Sequence, residues 1–166
     1  MELTSDVLLK GRDWSETIDL LSDIIPSPLH YNVYILCVAI GIVYDKQIEI
    51  NTTENDDSKS VPRNVIQNNN RTGVLDYLFQ AAIITSKTIS LTEDERLDLA
   101  FNSSSKIEFK RMDFLTLFAN YGVKKLKEQI DKDEMVTMDN LKCFLSNTFD
   151  GLNIDFKEIE KCLLED

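Results

Sequence analysis

Few side chains in this chain could carry out chemistry, and they are widely scattered. There is one histidine, His30, just after Pro28, so any histidine-based triad or metal site would depend on it alone. A lone histidine beside an apolar segment reads as structural. The three cysteines, Cys37, Cys143 and Cys162, include no Cys-x-x-Cys pair and have no neighbouring histidine, which argues against zinc. They read as reduced thiols in a cytoplasm. Asp131-Lys132-Asp133 begins like a calcium loop. The sixth position is then Val136 instead of glycine, and the twelfth is Lys142 instead of glutamate, so the ligand set fails. Glu93-Asp94-Glu95 is the densest carboxylate group. Acids there suit the first turn of a helix better than a catalytic pair. No Gly-x-Ser-x-Gly, Walker loop or dinucleotide fingerprint occurs, and five glycines in 166 residues leave little for phosphate-cradling loops. We expect no enzyme, no cofactor and no metal.

The one local departure from the average is basic. Residues 106–132 carry seven basic and four acidic side chains in a chain whose net charge is −11. Within that stretch Arg111, Tyr121, Lys124, Lys125 and Lys127 are the candidates for a partner-binding face, since Tyr and Arg favour interface centres and Lys the rims. The alternative is internal pairing. Residues 133–166 hold nine acids against three bases, and cations near a helix C-terminus suit its dipole. The sequence leaves both readings open. The overall acidity argues against general binding to nucleic acid, because phosphate contacts need clustered Lys and Arg. It argues equally against docking on an anionic membrane. The longest apolar run, residues 33–44, is too short to span a bilayer, and no basic-then-apolar leader opens the chain, so a cytoplasmic location is expected.

The elements that position these residues read as helices. Apolar residues are 43% of the chain and only three prolines interrupt it, which suits one globular core built from helices. Asp13 caps a helix whose inward face is Trp14, Ile18, Leu21 and Ile25, stopped by Pro26 and Pro28. Residues 30–44, HYNVYILCVAIGIVY, are apolar all round. Their β-branched residues suit a strand, but their length favours a central helix. Residues 51–61 read as a surface loop. Residues 72–85 form a helix, and Thr92 caps a short one ending near Phe101. Residues 106–132 read as the longest helix, with a stripe of Leu115, Phe118, Gly122 and Leu126. Gly122 permits either close helix packing or a kink. Thr137 caps a helix over 138–148, and Asp155 caps one over 156–164. The expected fold is all-α, a compact bundle of about six or seven helices. It has a core domain over 1–132 and a C-terminal helical hairpin, 133–166, packed on it.

Two stretches carry a family resemblance: Val33 to Gly41, a V-x-x-x-A-x-x-x-G-like helix, and Leu117-Phe118-Ala119-Asn120-Tyr121-Gly122-Val123-Lys124-Lys125-Leu126. With the layout between them, residues 25–130 resemble small bacterial proteins encoded beside DNA-modification and phage-defence operons, often those of the phosphorothioation (Dnd) system. The chain departs from that pattern after Gly41, where Asp45-Lys46 replaces the usual basic residues, and the tail after 132 lies outside it. The resemblance implies an accessory subunit of a defence complex, with no catalytic residues. Joined to the residue reading, it gives a non-catalytic adaptor that binds larger subunits of the same system through protein contacts. Homo-oligomerisation is compatible with that role. A second expectation is an acidic DNA mimic that occupies a basic groove on a nuclease or DNA-binding partner.

Overall fold

A computed structural model describes residues 5–50, 57–102 and 104–150, with side chains to residue 147. The chain divides into two compact units, Met1–Glu128 and Gln129–Asp166.

The first unit is built on two long helices, α2 (Leu29–Tyr44) and α6 (Arg111–Lys127). The apolar run at 33–44 is therefore helix. Its residues are apolar all round because they are packed on several sides: Tyr31, Val33, Tyr34, Cys37, Val38, Ile40 and Gly41 are all buried. On α6, Phe114, Leu115, Phe118, Ala119, Asn120, Gly122, Val123 and Leu126 are buried. The two helices meet backbone to backbone. A Cβ built on Gly41 would lie 2.1 Å from the Phe118 carbonyl oxygen, and one on Gly122 would lie 1.9 Å from the Cys37 carbonyl oxygen. Gly122 therefore serves close packing. Each helix puts its glycine against the other's main chain, which no residue with a side chain could do.

Around this pair sit α1 (Arg12–Leu20), α3 (Arg63–Asn69), α4 (Val74–Thr85) and α5 (Glu93–Phe101), with a 3-10 turn over Asn70–Thr72. Trp14, Ile18 and Leu21 are fully buried, as their spacing predicts. Thr92 caps α5 through a complete capping box: its Oγ1 accepts from the Glu95 N–H at 3.3 Å, and Glu95 accepts from the Thr92 N–H at 2.8 Å.

Several boundaries differ from the expectation. The N-cap of α1 is Gly11 at φ 99°, so Asp13 lies inside the first turn and its carboxylate is free to pair elsewhere. That helix stops at Leu20, before the prolines. The predicted long helix over 106–132 is only Arg111–Lys127, and residues 106–110 enter it without helical structure. Residues 58–61 are not loop. They form β2 (Ser58–Val61), which pairs antiparallel with β1 (Val7–Lys10), with Val7 opposite Val61 and Lys10 opposite Ser58. Val7, Leu9 and Val61 face the core while Leu8 is exposed. The fold is thus predominantly α, with seven α-helices and this one short ribbon among the described residues.

The second unit contains α7 (Glu134–Asp150), which begins three residues before Thr137. The cap is Asp133, whose Oδ1 accepts from the Met135 and Val136 N–H groups at 2.8 and 3.2 Å. Thr137 instead turns back. Its hydroxyl donates to the Asp131 carbonyl at 3.1 Å and accepts from the Asp131 N–H at 2.9 Å. The helix expected at 156–164 lies outside the described residues.

The glycine contact sets a sharp test. Gly41→Ala and Gly122→Ala should each destabilise the protein by about 3 kcal/mol or more, at the upper end of overpacking costs, because the clash is with main chain that cannot rotate away. Urea unfolding measures this, and no loss of midpoint in either variant would contradict the close crossing.

Candidate functional site

The five residues expected at a partner face do not form one surface. Arg111 opens α6 and Lys127 closes it, about 24 Å apart along the axis at 1.5 Å per residue. Arg111 belongs with the far end of the core. Its guanidinium carbon lies 4.7 Å from the centre of the Phe79 ring, and its Nη2 donates to the Leu99 carbonyl at 3.3 Å. Phe79 is itself stacked edgewise on Phe114, which meets Phe109 and Phe118 in turn.

At the other end the basic run is largely paired. Lys127 Nζ donates to Asp13 at 2.8 Å and to Glu16 at 2.6 Å. Arg12 also holds Glu16. The hydrogen bond from Lys127 and then that from Arg12 hold the Glu16 carboxyl below the usual carboxylate range, and the bonds to Asp13 and Glu16 raise the Lys127 ammonium. Lys125 reaches both carboxylate oxygens of Glu128 at 2.9 Å, and that hydrogen bond raises its pKa. Tyr121 is half-buried against Tyr44, with ring centres 5.7 Å apart. Lys124 is exposed and borders a cavity of about 290 Å³ beside the start of α1. Lys10, Arg12 and Lys124 meet Asp13 and Glu49 there, so the lining has mixed charge.

The other chemistry-bearing residues hold the backbone in place. His30 Nδ1 lies 2.7 Å from the Ser60 carbonyl oxygen, which can only accept, so this nitrogen carries the proton and ties α2 to β2. Cys37 is buried at the helix crossing, and burial pushes its thiol pKa well up, away from reactivity. Among the described residues no group of three or more His, Cys, Asp or Glu side chains is placed to hold a metal ion. Asp131 and Asp133 serve the entry to α7, with Asp131 Oδ1 accepting from the Asp133 N–H at 3.0 Å.

The sequence reading missed the α4–α5 pair as a surface. Arg96 organises it. Its guanidinium donates to four main-chain carbonyls: Ile83 and Ser86 at 2.7 Å, Ile89 at 2.8 Å and Leu91 at 3.2 Å. One side chain thus closes the last turn of α4, fixes the connecting loop and anchors α5. Gln80 Nε2 adds a bond to the Ala100 carbonyl at 3.1 Å and marks the seam between the helices. Flanking that seam on the outside are Tyr77 and Ile84 of α4, three residues before and four after Gln80. From α5 come Leu97 and Phe101, three before and one after Ala100. All four are exposed, at 66%, 41%, 46% and 66%. They are four of the ten large apolar side chains left exposed among the described residues, and helix spacing puts Tyr77 with Ile84, and Leu97 with Phe101, on one side of each helix. The signal was present in the sequence as apolar residues on the wrong side of two amphipathic stripes.

Neither a family model, nor a curated protein, nor a solved structure matches this chain.

Two predictions follow from these networks. Lys127→Met should lower the urea midpoint near neutral pH. Because Glu16 is depressed in the folded state, its contribution is present above its unfolded pKa and is lost as pH falls through the lower folded value. The wild-type advantage over Lys127→Met should therefore vanish in acid, and a difference unchanged into strong acid would rule the network out. Arg96→Lys should cost about 2 kcal/mol, since one ammonium cannot span four divergent carbonyls. Amide exchange in α5 should accelerate with it.

Proposed function

We propose that this chain is a non-catalytic adaptor, an accessory subunit of a multi-protein bacterial anti-phage defence complex, and that it works by protein–protein contacts. The observation that supports this reading is the exposed apolar face of Tyr77, Ile84, Leu97 and Phe101 on a pair of helices held rigid by Arg96. The defence setting comes from the sequence resemblance alone. Its two stretches coincide with the α2–α6 crossing, since they contain Gly41 and Gly122, so they speak to a shared fold more than to a shared site.

Among the described residues no helix is long and apolar enough to cross a membrane. A large neighbouring subunit is the natural cover for the α4–α5 face. Lys124 and Lys125, at the opposite end of α6 from Arg111, are the competing contact.

Co-purification of the tagged chain from its host separates these faces. The expected result is one or two large proteins, encoded beside this chain's gene, recovered in fixed ratio. Leu97→Ser combined with Phe101→Ser should abolish the recovery with the fold intact by circular dichroism, because both side chains are already in solvent. Lys124→Glu with Lys125→Glu should leave it unchanged. If only the lysine variant loses the partner, docking lies on the basic end of α6. If neither protein is recovered from any variant or from the wild type, the adaptor reading fails.

A further inference from the structure

We draw no further inference here: the strongest candidate, the exposed apolar face of Tyr77, Ile84, Leu97 and Phe101 on α4 and α5, already serves the proposed adaptor contact, and with Arg71, Lys87 and Lys106 exposed beside the same two helices as Glu93 and Asp94, nothing in the structure shows what chemistry covers it.

Discussion

Backbone contact between α2 and α6 at Gly41 and Gly122 is the constraint on which the first unit depends. Once the Phe118 and Cys37 carbonyls approach positions where a methyl group would already clash, the relative position of the two helices has almost no slack. Everything that touches the crossing inherits that rigidity. Asn120, two residues before Gly122, is held where its side-chain oxygen accepts from Trp14 Nε1 at 3.0 Å and its amide donates to the Ile48 carbonyl at 3.1 Å. Ile48 in turn donates its N–H to the Leu117 carbonyl at 3.0 Å. One buried amide therefore joins α1, α6 and the segment after α2. A buried polar group of this kind is favourable only when all its bonds are made, which demands the fixed geometry the glycines provide.

The same economy runs through the remaining polar side chains. His30, Arg96, Asn120 and Glu95 could each belong to a reactive site in another protein, and here each bonds the main chain, Asn120 with the Trp14 indole besides. Cys37 is placed at the crossing and desolvated. Lys127, Arg12, Asp13 and Glu16 neutralise one another across α1 and α6. The basic run that stands out in an acidic sequence is thus substantially explained by an internal partner that the sequence reading did not consider. The acids it meets lie more than a hundred residues earlier in the chain, on a helix whose N-cap is Gly11 instead of Asp13.

That displacement shows what the sequence makes legible. Helices with strong local signals are read well: Thr92 with three acids behind it marks α5 to within a residue, and the apolar periodicity of Trp14, Ile18 and Leu21 identifies the buried face of α1. The long apolar run at 33–44 is resolved as helix by length. What escapes is non-local. β1 and β2 are four residues each and lie some fifty positions apart, so neither has enough pattern to be recognised without the other. The two meanings open for Gly122 are separated only by its distance to Cys37, a residue on another helix. Arg96 reads as one charge among acids, because its four carbonyl partners carry no side-chain signature. The Asp133 cap was missed because Thr137 offered a competing one, and its hydroxyl is used in the preceding turn instead.

The acidity of the chain and its exposed apolar seam belong to one physical arrangement. Four large apolar side chains in solvent invite self-association, which a strongly negative surface resists through repulsion between copies. Because Arg96 and Gln80 already fix α5 against α4, binding there would order little that is not ordered beforehand. The face that α4 and α5 present is thus preformed, with the helix packing beneath it holding its side chains still.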